Sequence, residues 1–131
     1  MSSRVASLLA WAICGLTLAL SACTIMLSVL NSYDLSPLSV AEAPVALIGG
    51  LVVSRRPANA VVWIIEGHAL CFTLGEFTRQ YAVFGLLTEP GAVPFARVMA
   101  SPPYWIWGPG LFLMFSFLSL YFPNGRLISC R

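Results

Sequence analysis

Few residues in this sequence of 131 residues have side chains that could do chemistry. The ionisable ones inside apolar surroundings are Glu42, Glu66, His68, Glu76 and Arg79. A carboxylate and an imidazole at close quarters can exchange a proton, hold a cation, or form a buried ion pair. Glu66 and His68 are two positions apart. At 100° per residue they point to opposite faces of a helix, so they cannot share one ion or one proton directly. A partner must come from another helix, and Glu42 is the only other such acid far from Arg79. Glu76 and Arg79 have the i,i+3 spacing of a helical ion pair. The bland reading of all five is neutral or hydrogen-bonded packing. The sharper one is sensing or transport, since ionisable groups cost about 2.5–3.5 kcal/mol at the centre of a spanning helix.

Other chemistries have no support. Cys14, Cys23, Cys71 and Cys130 lack zinc or redox spacing, and three of them lie in apolar stretches where a thiol acts as a small hydrophobe. There is no Ser-His-Asp set and no phosphate-cradling glycine loop. The expectation is a non-enzyme without catalytic, cofactor or metal residues.

The elements that position these groups follow from composition. Apolar residues make up 59% and charged residues 9%, against roughly 25% charged in soluble domains. Mean hydropathy is +0.87. With so little charge to cover a surface, the lipid bilayer is the expected solvent, in the cell membrane. A net charge of +2 from scattered arginines excludes a nucleic-acid footprint.

The expected fold is all-α: one membrane domain, a four-helix transmembrane bundle with spans at about 5–30, 38–53, 61–80 and 104–122. An external loop covers 81–103. A bilayer core of about 30 Å needs about 20 helical residues, so the first span crosses with room for tilt. The second, carrying Glu42 and Pro44, is a marginal inserter that needs a partner helix. The third carries polar groups on both sides and is expected at the centre or at an oligomer contact. In the fourth, Gly108-Pro109-Gly110 should loosen the first turn.

Orientation turns on residues 54–60, Ser-Arg-Arg-Pro-Ala-Asn-Ala. Short arginine-rich loops stay cytoplasmic. Arg55 and Arg56 then join Arg4, Arg126 and Arg131 inside, with Arg79 and Arg97 outside, and both termini cytoplasmic.

The first span also carries a seam. Ser7, Cys14, Ser21 and Ser28 recur every seven positions, with Ala10, Thr17 and Thr24 between them. Small residues let membrane helices approach closely. Ser39, Ala43, Ala46, Gly50 and Ser54 form a similar stripe on the second span. A rival reading treats Leu20-Ser21-Ala22-Cys23 as a lipoprotein processing site with Cys23 lipidated, although residues 24–30 stay apolar beyond it.

Four ordered motifs add a resemblance. They are Leu47-Ile48-Gly49-Gly50-Leu51-Val52-Val53-Ser54-Arg55-Arg56-Pro57-Ala58-Asn59 followed by Trp63; Tyr81-Ala82-Val83-Phe84-Gly85-Leu86-Leu87-Thr88 with Pro90-Gly91; Trp105-Ile106-Trp107-Gly108-Pro109-Gly110; and Phe122-Pro123-Asn124-Gly125-Arg126-Leu127. Together they cover about two thirds of the chain. This pattern resembles the amino-terminal multi-span membrane region of actinobacterial-type sensor histidine kinases and related bacterial membrane proteins. The resemblance implies a sensor or input module whose partners are the bilayer and either a second copy or another membrane or signalling protein. Two departures stand out. Ala60, Val61 and Val62 replace the middle of the usual Asn-Pro-Ile-Gly-Trp, and the 131 residues hold no kinase core. The chain is thus expected to be a free-standing module or a truncated piece of a longer one. A small transporter or channel subunit using Glu66 and His68 is the alternative.

Overall fold

The computed structural model of the chain describes residues 3–32, 37–117 and 119. Arg126, Arg131 and Cys130 lie outside the described residues, as do the Phe122–Leu127 motif and the end of the fourth span. The described chain is all-helical.

Helix α1 spans Ser3–Leu30, α2 spans Pro37–Arg55 and α3 spans Ala60–Val83. Because α3 touches every other element, it is the axis of the fold. From Ala60 to Gly85 none of its residues is exposed. Polar groups at Glu66 and Thr73 on one side and His68 on the other leave no face that could be given wholly to lipid. Both ends of α3 are pinned by aromatic side chains. Trp63 Nε1 donates to the Pro57 carbonyl at 3.1 Å, and the Tyr81 hydroxyl donates to the Pro94 carbonyl at 3.1 Å. Asn59 caps its start, its side-chain oxygen accepting from the Val61 N–H at 3.1 Å. An Asn at this position satisfies one of the orphan donors of the first turn. The Arg55–Asn59 turn is therefore a tight α2–α3 connection.

The helix runs on past the point where a loop is expected. Phe84–Thr88 form a π-helical turn, and the chain leaves the helix only at Glu89, where Pro90 disfavours helical backbone for its predecessor. The loop then folds back. A Cβ at Gly85 would lie 2.5 Å from a Val93 methyl carbon and 2.6 Å from the Ala96 Cβ, so only glycine admits this contact. A short helix α4 (Ala96–Met99) and a 3₁₀ turn (Pro102–Tyr104) lead to α5 (Trp107–Phe112), which ends in a second π-helical turn, Leu113–Phe117. The fourth helical segment thus opens at Trp107 rather than Tyr104, because Pro102-Pro103 holds the preceding residues in the 3₁₀ turn.

Polar side chains share the interior with apolar ones, while many large apolar side chains lie outside. Among the described residues the largest fully buried side chains are Gln80, Glu66, Val53, Thr17, Thr24, Cys14 and Ser28. Exposed residues include Leu8 (72%), Val29 (67%), Ile48 (65%) and Phe115 (70%). Among the described residues two helical stretches, Arg4–Leu30 and Ala60–Thr88, are long and apolar enough to cross a membrane, with mean hydropathies of 2.2 and 1.3.

Candidate functional site: buried acids between α1, α2 and α3

The seam residues of α1 lie on its packed side. Ala10, Cys14, Thr17, Ser21, Thr24 and Ser28 are buried and Ser7 is half-buried. Thr17 and Thr24 return their hydroxyls to the carbonyls of Ile13 and Leu20, at 3.0 and 2.8 Å, which removes two polar groups from the interface without a cross-helix partner. On α2 the buried residues are Glu42, Ala46, Gly49, Gly50 and Val53. Ala46 and Gly50 belong to the expected stripe. Ala43 and Ser54 are only half-buried, and Ser39 lies outside the residues whose side chains are described. The packed face is rotated toward Glu42 and Gly49 because α3 brings Glu66 against it.

Glu66 sits at the meeting of the three helices with no exposed surface. A Cβ at Gly49 would lie 2.6 Å from the Glu66 Cγ and 3.4 Å from its carboxyl carbon; one at Gly50 would lie 3.5 Å from Oε1 and 3.2 Å from the Cys14 Cβ. Two successive glycines on α2 therefore form a niche that this side chain fills. Neither carboxyl oxygen of Glu66 has a hydrogen-bond partner.

His68 faces the other way and meets α2 further along, with Nε2 4.0 Å from Glu42 Oε1. Both side chains are largely buried. Glu42 Oε2 and His68 Nδ1 have no hydrogen-bond partner, nor do the hydroxyls of Ser21 and Thr73. A Cβ at Gly110 would come within 3.3 Å of His68 Nδ1 and 3.2 Å of the Cys71 Cβ. Thus α5 closes over the imidazole through a glycine, and the Phe72 ring lies beside it at 6.1 Å. Glu42 and Gly49 are seven residues apart, two turns on one face of α2, so all three titratable groups border the α2–α3 contact.

Glu76 and Arg79 do pair, with Arg79 Nη2 2.8 Å from Glu76 Oε2 and Nε 3.4 Å from Oε1. They stand apart from the other three groups. Arg79 edges an open, mainly apolar recess of about 350 Å³ walled by Ala82, Val83, Leu86 and Tyr104. Arg55 and Arg56 are exposed at the α2–α3 turn. Cys14 is buried, Cys71 half-buried and Cys23 exposed on an unbroken α1. Among the described residues no three His, Cys, Asp or Glu side chains gather closely enough to hold a metal ion.

Three contributors are not evident in the pattern of small residues. Gly49 falls outside the spacing that selects Gly50, although the Gly49-Gly50 pair is itself a signal of close approach. Gly110 reads as part of a kink, whereas it also admits His68. Asn31 reads as a turn residue, yet its Nδ2 donates to the Gln80 carbonyl at 3.0 Å and to Gln80 Oε1 at 2.9 Å, while its Oδ1 accepts from the Thr88 hydroxyl at 2.7 Å. This clamp ties the end of α1 to the end of α3.

Compared with protein-family models, curated proteins and solved structures, the chain matches none.

Proposed function

We propose that the chain is a multi-pass protein of the cell membrane, with four spans and both ends cytoplasmic, serving as a non-catalytic input module that acts through another membrane or signalling protein. The large apolar side chains on the outside, over an interior that includes buried polar groups, carry this reading. Thr, Ser, Glu and Gln share the interior with small apolar residues such as Ala10, Ala46 and Ala69, while Leu8, Val29, Ile48 and Phe115 face outward. In water that arrangement would forgo about 25 cal/mol for each Å² of apolar surface left exposed. In lipid the same surface is at no disadvantage, and small polar residues are what bring helices together. The π-helical extension of α3 and the α5 segment supply the outer half of the bundle.

The test has two parts. Membranes washed with alkaline carbonate should retain the chain, and reporters fused after Ser32, Ala58 and Gly91 should read outside, inside and outside. Release by carbonate overturns the membrane reading. Purification of the intact native assembly in mild detergent should then yield a second protein in fixed stoichiometry. Recovery of this chain alone overturns the input role.

A transporter or channel subunit is the second reading, favoured by the unpartnered polar atoms of Ser21, Glu42, Glu66, His68 and Thr73 within one helix triangle. Ion flux into vesicles that is unchanged by Glu66→Gln would eliminate it.

A further inference from the structure

Glu66 is a carboxyl group for which the fold has made room without providing a partner. The room is specific: Gly49 and Gly50 on α2 clear the space occupied by its Cγ, carboxyl carbon and Oε1. The lack of partners extends to both oxygens, and the group has no exposed surface. An unpaired charge so placed is far more costly than the unpaired O–H and C=O of the neutral acid. A sodium or calcium ion would need several further oxygens to replace its hydration shell, and the groups placed against the Glu66 carboxyl are the Cys14 side chain and the two glycines. A proton is the one cation that neutralises a carboxylate without any other ligand.

Resting on the membrane reading above, we propose that the interior between α1, α2 and α3 is a proton-binding site, with Glu66 as the carboxyl group that takes up and releases the proton and the Glu42–His68 pair as its outer companion. Binding adds one proton to one carboxylate oxygen of Glu66; release returns it to solvent as α2 moves away. The titratable neighbour of Glu66 on α1 is Cys14, and α2 presents only Gly49 and Gly50 at that level, with Glu42 two turns along. His68 is faced by Glu42 from α2 and by Gly110 from α5, with Cys71 one turn further on its own helix. His68 Nε2 and Glu42 Oε1 lie 4.0 Å apart, beyond hydrogen-bond reach, so no proton passes directly between them in this arrangement.

The covering helix is the one suited to move. Pro44 lies inside α2, between Glu42 and Gly49. A proline there lacks the N–H that would bond to the carbonyl four residues earlier, so the half carrying Glu42 is loosely tied to the half carrying the glycine niche. Charging Glu66 sets a desolvation cost against the α2–α3 contact, and the contact can yield at the proline.

The experiment uses the full chain in phosphatidylcholine vesicles that retain it through an alkaline-carbonate wash. Infrared difference spectra between acid and alkaline buffer should show a reversible carbonyl band of a protonated carboxyl group in apolar surroundings. Glu66→Gln, which keeps the neutral shape, should abolish that band. Gly49→Ala, which alters no titratable group, should shift its frequency or its titration midpoint by crowding the carboxyl group. Asp34, Glu42, Glu66, Glu76 and Glu89 are the only acids in the sequence, and ¹³C-labelled glutamate separates the four glutamates from Asp34. If Glu66→Gln fails to assemble, the labelled parent chain and Gly49→Ala decide: a band unmoved by Gly49→Ala overturns the assignment. Parent and Glu66→Gln spectra that are identical at every pH also overturn it while leaving the membrane reading intact. Loss of the chain in the carbonate wash removes the membrane reading and the site with it.

Discussion

Gly49→Ala tests the niche most directly. The added methyl would come 2.6 Å from the Glu66 Cγ, closer than unstrained carbon atoms approach. Because the atom it meets lies in the middle of a buried side chain with no exposed surface, relief requires either a shift of α2 or a poorer rotamer of Glu66. Overpacking of this kind costs about 1–3 kcal/mol. Against it stands the intrinsic preference of a helix for Ala over Gly, about 1 kcal/mol. Gly15→Ala separates the two effects. Gly15 lies in α1 with open space where its Cβ would be, so that variant keeps the propensity gain and meets no neighbour. The difference in stability between Gly49→Ala and Gly15→Ala should therefore be the steric term alone, about 1–3 kcal/mol in favour of Gly15→Ala. Equilibrium unfolding in mixed micelles, with increasing dodecyl sulfate fraction, measures it. Placing Gly49→Ala in a Glu66→Ala background removes the clash, and the substitution should then be neutral or stabilising, giving a coupling energy of about 1–3 kcal/mol. If Gly49→Ala proves as stabilising as Gly15→Ala, the glycines do not shape a niche for Glu66, and α2 does not pack on α3 in this register.

Three further outcomes are expected. Asn31→Ala removes three hydrogen bonds at the joined ends of α1 and α3 and leaves the buried Gln80 side chain unsatisfied; it should lower stability by about 1–3 kcal/mol in the same unfolding assay, and Gln80→Ala made on top of it should add little. Trp63→Phe deletes the bond to the Pro57 carbonyl and should destabilise by about 0.5–1.5 kcal/mol, with faster proteolysis at the α2–α3 turn as the local readout. Replacing Arg55 and Arg56 together by Glu should shift reporters at that turn toward the outer side of the membrane, because cationic residues in short loops set orientation; an unchanged cytoplasmic reading would mean that Arg4 and the carboxy-terminal arginines suffice.

What could be read in advance divides along a physical line. The helices, their order and the central place of α3 follow from local properties: long apolar runs, Pro-bearing turns, and polar groups on both sides of residues 66–80. The polar pairings within α3 are legible too, since Glu76 and Arg79 are neighbours on one helix and need no knowledge of any other. The Glu42–His68 approach is half legible. Elimination names Glu42 as the remaining acid, but the 4.0 Å contact depends on how far α2 slides along α3. That offset is set by which residues interlock, and small residues interlock in more than one register. On α2 the spacing Ser39-Ala43-Ala46-Gly50-Ser54 and the face Glu42-Ala46-Gly49-Gly50-Val53 share two members and differ by part of a turn. Composition favours the first because its residues are all small. The structure takes the second because a large side chain from α3, Glu66, needs the space that Gly49 leaves, and Val53 then packs with Ala10 and Val62 below it. A stripe of small residues shows that some partner approaches closely. Which face it approaches is decided by the one large side chain that has to fit, and here that side chain is an acid.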